Sequence, residues 1–112
     1  MPDLIPEFEF TDELGQTRQY SGTVGTTPIY VPALPSIFGI DAFLIRCPPQ
    51  SPNSRRLQFS LNGGANWMTL GVGEYVGWSP RRDSSNNLIT QVMIRGNSAN
   101  VEYEILINFA AS

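Results

Sequence analysis

Two glutamates two residues apart, Glu102 and Glu104, come closest in this sequence to an acid–base pair. On a strand, residues two apart project from one face with Cα atoms about 6.6 Å apart, near the spacing of paired glycosidase carboxylates. Those carboxylates flank the scissile bond from opposite sides, whereas two neighbours on one strand point the same way. We therefore interpret Glu102 and Glu104 as a solvated outer strand face.

The other usual groups for catalysis or metal binding are scarce. The chain has no histidine and one cysteine, Cys47, which excludes an internal disulfide and a zinc–cysteine cluster. Because no histidine can activate its thiol, Cys47 is interpreted as a small buried hydrophobe. The polar run at residues 83–87 offers oxygen ligands, but its one carboxylate is too little for a strong Ca²⁺ site. We expect no catalytic residue, metal or cofactor, and no enzymatic activity.

All seven basic residues are arginines, and the net charge of the 112-residue chain is −3. This balance gives no attraction to nucleic acid or to an anionic membrane. The pairs Arg55-Arg56 and Arg81-Arg82 stand at loop ends. Arginine suits fixed bidentate contacts, so these four residues are candidate surface contacts to a partner, together with the aromatic residues Tyr75 and Trp78.

The segment of residues 60–67, SLNGGANW, resembles the Asp-box hairpin, Ser-x-Asp-x-Gly-x-Thr-Trp, of sialidase propellers and other β proteins. Ser60, Gly64 and Trp67 match that motif, whereas Asn62 replaces the aspartate and Asn66 the threonine. A short polar side chain at 62 can bond turn amides, and glycine accepts a left-handed backbone. In the families that carry it the motif is structural, so we interpret these residues as a folding hairpin.

The elements that would position these residues are all strands. Charged residues are few, turn residues recur, and no window has a sustained 3.6-residue period. The sequence predicts one all-β domain over residues 16–112, an antiparallel β-sandwich of jelly-roll or immunoglobulin-like type. The predicted strands cover residues 16–24, 28–31, 40–47, 57–61, 67–70, 74–78, 88–95 and 101–109.

Alternation assigns core faces to two of these strands. Leu57, Phe59 and Leu61 are expected to face the core before the chain reverses at Asn62-Gly63-Gly64. The last strand has the strongest alternation, and we expect it to be central. Its predicted inward residues are Val101, Tyr103, Ile105 and Ile107.

Residues 1–15 are predicted to form an extended N-terminal arm. Pro2, Pro6 and several acids fit poorly in an interior sheet. The apolar residues would nevertheless need a surface to cover them, and we expect them to bind a partner: Leu4, Ile5, Phe8 and Phe10. The alternative is an ordinary edge hairpin that fills the domain's own sandwich.

The N-terminal sequence carries acids where a signal peptide has an apolar core, and no run of about 18 apolar residues occurs. The expectation from the sequence is a product made in the cytoplasm, without a signal peptide or a membrane span.

The second half of the chain resembles the small all-β structural proteins of tailed-phage virions. The resemblance is carried by FSLNGG at 59–64 with Trp67, GVGE at 71–74, a strand ending in Arg95-Gly96, and VEYEI at 101–105. It implies a virion component, most often a capsid decoration (cement) protein or a tail accessory. It also implies that the protein forms a homo-oligomer and binds major capsid protein or another virion protein. The alternative function is a carbohydrate- or receptor-binding module of a phage tail, fibre or cell surface.

Overall fold

The computed structural model describes residues 16–79, 82–83 and 85–110. This part of the chain contains eight strands. In chain order they are β1 (Gln16–Val24), β2 (Ile29–Val31), β3 (Ile40–Arg46), β4 (Arg56–Ser60), β5 (Met68–Gly71), β6 (Tyr75–Trp78), β7 (Val92–Gly96) and β8 (Val101–Phe109). The all-β prediction is confirmed. Within the described ranges no helix has the length and apolar character to cross a membrane.

The strands form two four-stranded antiparallel sheets. Their orders are β1-β8-β3-β6 in the first sheet and β2-β7-β4-β5 in the second. The antiparallel pairs β1–β8, β2–β7, β3–β6 and β4–β5 are nested along the chain, as when one long hairpin is rolled up, and the contacts β3–β8 and β4–β7 join them. This nesting is the topology of a jelly roll, which decides between the two sandwich types that the sequence allowed.

The core lies between the inner faces of the two sheets. Phe43 and Ile45 of the first sheet face Phe59 and Ile94 of the second, and all four are buried. The rings of Phe43 and Phe59 meet edge to face with centroids 6.3 Å apart. Such a pair across the interface is stabilised by about 0.5–1.5 kcal/mol beyond its area burial.

A β-bulge at the start of β3 changes which sheet face its first residue occupies. The register against β8 shifts between Ile40 and Ala42, which leaves Asp41 as the extra residue. Ile40 and Phe43 are three residues apart and would face opposite sides of a regular strand, yet both are buried. The bulge therefore lets β3 place one more large side chain in the core.

Strand β8 is central, because β1 and β3 pair with its two edges. Val101, Ile105 and Ile107 are buried as the alternation predicts. Tyr103 is only partly buried and packs against the core cluster. Its pairing partner is Gly22, and a Cβ at that position would lie 3.3 Å from the Tyr103 hydroxyl. The ring thus lies beside an edge glycine instead of deep between the sheets.

Six of the eight predicted strands differ from the structure at a boundary, five of them by a single residue at one or both ends. The strand expected over residues 88–95 begins only at Val92, because the preceding backbone pairs with a loop: Ile89 O accepts from Ile40 N at 2.8 Å and Thr90 O from Ser36 N at 3.2 Å. Leu61 lies beyond the end of β4 and is partly buried, whereas Leu57 and Phe59 are buried in the core. The hairpin loop begins one residue earlier than the alternation indicates.

Three long loops lie at one end of the sandwich, which we call the loop end. The start of β1, the end of β8, the start of β3 and the end of β6 lie side by side there, as the pairs Gln16–Phe109, Ile40–Phe109 and Phe43–Trp78 record. The second sheet contributes the end of β4 beside the starts of β5 and β7. The loops at this end cover residues 32–39, 61–67 and 79–91, with 80, 81 and 84 not described.

Candidate functional site

A cleft of about 280 Å³ opens at the loop end. It lies between the β4–β5 loop and the described part of the loop after β6. Its floor is apolar and includes Phe59, Met68, Trp78 and Ile89. Strands β6 and β5 are the edge strands of the first and second sheets. In the described part of the chain no further strand covers the space between the sheets on this side, and the cleft opens there.

Trp78 forms the aromatic wall of this cleft. It is paired directly with the buried Phe43, so it projects between the sheets. The two rings are tilted with centroids 6.5 Å apart. Because β6 is an edge strand, Trp78 remains 46% exposed. Tyr75 is 65% exposed and paired with Arg46 on the outer face. Tyr75 and Trp78, which were predicted as one group of surface contacts, therefore lie on different faces of the sheet. Of the two, Trp78 lines the cleft.

The rim of the cleft is polar and comes from the two loops. Asn62 and Asn66 line it on one side, Arg82 and Asp83 on the other. Asp83 Oδ1 accepts from the backbone N–H groups of Ser85 and Asn87, each at 2.9 Å. This carboxylate therefore holds its own loop in shape. Arg82 is exposed and donates from Nη1 to Asn86 O at 3.1 Å.

The hairpin residues form a compact hydrogen-bond cluster beside the cleft. Ser60 Oγ is buried, donates to Asn62 Oδ1 at 2.9 Å, and accepts from Gly64 N at 2.9 Å. Asn62 Oδ1 also accepts from Asn66 N at 3.0 Å. Gly63 and Gly64 have φ of 72° and 92°, which favours glycine there. These contacts fix the loop that supplies one rim of the cleft.

Trp67 covers the outer face of the second sheet. The Arg95 guanidinium lies 4.0 Å from its ring centroid, a cation–π contact. Arg95 Nε donates to Gln58 Oε1 at 2.7 Å, and Gln58 Nε2 donates to Thr69 Oγ1 at 3.1 Å. This row ties β7, β4 and β5 together across the sheet.

Arg55 and Arg56 lie at the opposite end of the sandwich, where β4 begins at Arg56. Arg55 Nη1 donates to Asn100 O at 2.7 Å, and Arg56 Nη1 donates to Asn53 O at 2.9 Å. These guanidinium groups hold local loops together. The remaining predicted contacts, Arg81 and the arm residues Leu4, Ile5, Phe8 and Phe10, lie outside the described residues.

The exposed apolar residues at the loop end were not identified as candidate contacts from the sequence. Leu34 and Ile37, in the loop between β2 and β3, are 80% and 85% exposed, and Phe38 is 46% exposed. The signal was present, since three large apolar residues stand in a loop of Pro, Ser and Gly. An apolar residue on a turn-rich segment is a contact candidate because the loop cannot turn it into the core.

A second missed surface lies on the outer face of the first sheet. Leu106 and Leu44 are in direct register and exposed, and Gly77 continues the row on β6. Leu44 and Leu106 border a shallow depression of about 190 Å³. The Arg46–Glu104 ion pair, 3.0 Å from Nη1 to Oε1, lies on the same face. Leu106 breaks the polar side of the β8 alternation, which was its signal in the sequence.

Two of the described ionisable groups, Cys47 and Tyr20, have shifted pKa values. Burial raises the pKa of the Cys47 thiol, outweighing hydrogen bonds to Leu57 and Gln50 that lower it. Burial likewise raises the pKa of Tyr20, partly offset by Arg18. Across residues 16–79, 82–83 and 85–110, no three His, Cys, Asp or Glu side chains come together as a metal site.

Comparisons with known proteins yield a likeness of fold. No family model matches the chain, and no curated protein matches it. A chain in a solved structure of Bacillus endospore appendages, described as a novel family of disulfide-linked pili, superposes with a TM-score of 0.53. The match has 11% sequence identity and covers 95% of this chain and 99% of that chain. At this identity the likeness shows a shared fold.

Proposed function

We propose that this chain is a non-enzymatic structural subunit of a multi-copy assembly, and specifically a capsid decoration protein of a virion. In this function, many copies bind major capsid subunits and each adds a modest interface energy. Together they raise the free energy needed to open the shell. The fold shared with a chain of a bacterial pilus supports the general assignment, and the virion motifs of the second half favour the specific one.

The observation that carries the proposal is a pair of exposed apolar residues at the end of the domain where β1 begins. Leu34 and Ile37 are almost fully exposed at the loop end, and β1 begins at the same end with Gln16. The preceding fifteen residues contain the apolar set already predicted to bind a partner, Leu4, Ile5, Phe8 and Phe10. Exposed apolar side chains at the end of a small domain, next to the start of an apolar N-terminal sequence, fit a contact surface.

The charge distribution also supports association. Residues 1–15 carry five acids and no base, whereas residues 16–112 carry seven arginines and five acids. The net charges are −5 for the arm and +2 for the remainder. An acidic segment beside a basic domain favours contacts between the arm of one copy and the body of another.

The assembly would be non-covalent. The endospore appendages are described as disulfide-linked, but this chain has one cysteine, and Cys47 is fully buried. A disulfide between copies would require its sulfur to leave the core. Interface burial and ion pairing must therefore supply the cohesion.

Deletion of residues 1–10 tests this function. We expect the truncated chain to unfold cooperatively like the full chain, but to lose self-association by light scattering and binding to particles prepared without the protein. A matched control replaces Leu4, Ile5, Phe8 and Phe10 with serine in the full-length chain. Unfolding of the truncated domain would show that the arm belongs to its own core, and unchanged association would contradict an interface role.

The second candidate function is carbohydrate or receptor binding. Trp78 at the cleft wall, with Asn62 and Asn66 at the rim, favours it, because an aromatic face and amide groups can together hold a sugar ring. A glycan array with the full-length chain tests this. Signals that disappear in Trp78→Ala and persist in Tyr75→Ala would support a saccharide site, since Tyr75 lies on the opposite sheet face.

A further inference from the structure

The cleft at the loop end is an apolar cavity with a polar rim. Phe59, Met68, Trp78 and Ile89 form most of its floor. Its volume of about 280 Å³ lies just below the roughly 300–1,000 Å³ of common small-molecule sites. A cavity of this size and lining suits one or two large apolar side chains better than a hydrated sugar, which needs more polar partners.

The sequence contains a segment of matching chemistry outside the described residues. Phe8 and Phe10 are two residues apart, so in an extended segment both project to one side. Glu7 and Glu9 then project to the other side. Such a segment could bury two rings while it presents carboxylates to a cationic rim.

The rim provides that cation. Arg82 is exposed and lines the cleft. Its guanidinium has five N–H donors in a fork that matches a carboxylate. The neighbouring Asp83 carboxylate accepts two backbone N–H groups of its own loop.

The length of the arm permits the contact. Phe10 and Gln16 are six positions apart, which allows a reach of about 20 Å in extended chain. The first sheet measures about 14 Å from β1 to β6, three strand spacings of about 4.8 Å. Both β1 and the cleft open at the loop end. The arm can therefore reach the cleft of a copy that packs with that cleft within about 20 Å of β1.

We propose that this cleft receives the N-terminal arm of a second copy of the chain, with Phe8 and Phe10 on the apolar floor and Glu7 or Glu9 facing Arg82. The assignment to a second copy rests on the proposed function in assembly. Each copy then donates one arm and accepts another. Such a head-to-tail contact closes into a ring or continues as a filament, according to the rotation between copies.

Disulfide trapping in the full-length chain tests the contact. One preparation carries Thr11→Cys, next to Phe10, and another carries Asn66→Cys, at the rim of the cleft. The buried Cys47 remains in both. Mild oxidation of the mixture should give a covalent pair with one chain of each kind. Tyr75→Cys in place of the rim variant is the matched control, since Tyr75 is exposed on the opposite sheet face, and it should give none.

A second variant measures the contribution of the anchors and the charge. Phe8→Ser with Phe10→Ser should weaken association by roughly ten-fold or more, as buried aromatic anchors do. Arg82→Glu should weaken association, and Glu9→Arg in the same chain should restore part of it. Restoration by charge exchange is a result that a merely structural loss at Arg82 would not give.

Failure of this contact can be told apart from failure of the assembly function. If the full-length chain associates but the rim cysteine traps no more than the Tyr75→Cys control, the cleft assignment is wrong and the assembly function stands. Trapping that occurs only within one chain carrying both cysteines also overturns the proposal, because the arm then fills its own cleft. A saccharide that binds the native chain, is lost in Trp78→Ala and leaves association unchanged would assign the cleft to a sugar.

Discussion

At the scale of single residues, the hairpin depends on a glycine whose backbone conformation and close neighbours both disfavour a side chain. Gly64 has φ of 92°, and a Cβ there would lie 3.3 Å from Met93 Sδ and 3.5 Å from Trp67 Cζ2. Both backbone strain and crowding therefore act at the same position.

We expect Gly64→Val to lower the free energy of unfolding by about 1–3 kcal/mol. Chemical denaturation of both proteins measures the difference. Gly25→Val is the control, since nothing lies within 4 Å of a Cβ placed there. Equal stability of Gly64→Val and the native chain would mean that the loop does not need its left-handed residue.

Cys47 gives a prediction about pH. Its folded-state pKa is raised by burial, while an unfolded thiol titrates near pH 8.5. The unfolded chain therefore loses this proton first as the pH rises. The contribution of this thiol to the free energy of unfolding is fully present below about pH 8.5. It is lost as the pH rises through the folded-state pKa.

In Cys47→Ala this part of the alkaline loss should be absent, although the small cavity lowers stability at every pH. Denaturation curves at neutral and alkaline pH measure the slope. Tyr20, whose pKa is also raised, should leave a residual loss at still higher pH in both proteins. Parallel pH profiles of native and variant chains would contradict the prediction.

At the scale of elements, β8 offers two adjacent residues with opposite surroundings. Ile105 is 1% exposed in the core, and Leu106 is 41% exposed on the outer face. Because strand residues alternate between faces, the two substitutions test the orientation of the whole strand.

Ile105→Ala should lower the free energy of unfolding by about 2–5 kcal/mol, the range for a fully buried aliphatic residue. Leu106→Ala should change it by less than about 1 kcal/mol, because much of that side chain already contacts water. Urea denaturation of the two variants is the measurement. Similar losses in both would place β8 differently from its central position between β1 and β3.

At the scale of the whole molecule, the division of charge predicts a response to salt. The arm carries −5 and the remainder +2. Raising the ionic strength from about 0.1 M to about 1 M shortens the Debye length from about 10 Å to about 3 Å. Exposed pairs contribute about 0.2–1 kcal/mol each, so association through the arm should weaken by roughly five-fold over this range.

Sedimentation at the two salt concentrations measures this change. A variant with Asp3, Glu7, Glu9, Asp12 and Glu13 replaced by their amides is the control, and its weaker association should vary little with salt. Association that strengthens with salt in the native chain would show that apolar burial alone drives it.

The sequence by itself determined the strand content and most of the core. The alternation of residues 101–109 identified Val101, Ile105 and Ile107 as buried, since a half-buried strand leaves a period of two in its own residues. The Asn62-Gly63-Gly64 run marked a reversal because left-handed backbone needs such residues. Strand alternation and turn conformation depend on neighbouring residues in the chain, so the local sequence is enough to predict both.

Only the tertiary structure decided which strands pair and what shares a surface. The jelly-roll nesting depends on contacts between β1 and β8, far apart in the chain. The bulge at Asp41 arises from the register with β8, and the late start of β7 from backbone bonds between residues 36–40 and residues 89–90. The cleft joins Met68, Trp78 and Ile89 because the β4–β5 loop and the loop after β6 meet at one end. No spacing along the sequence can encode that juxtaposition.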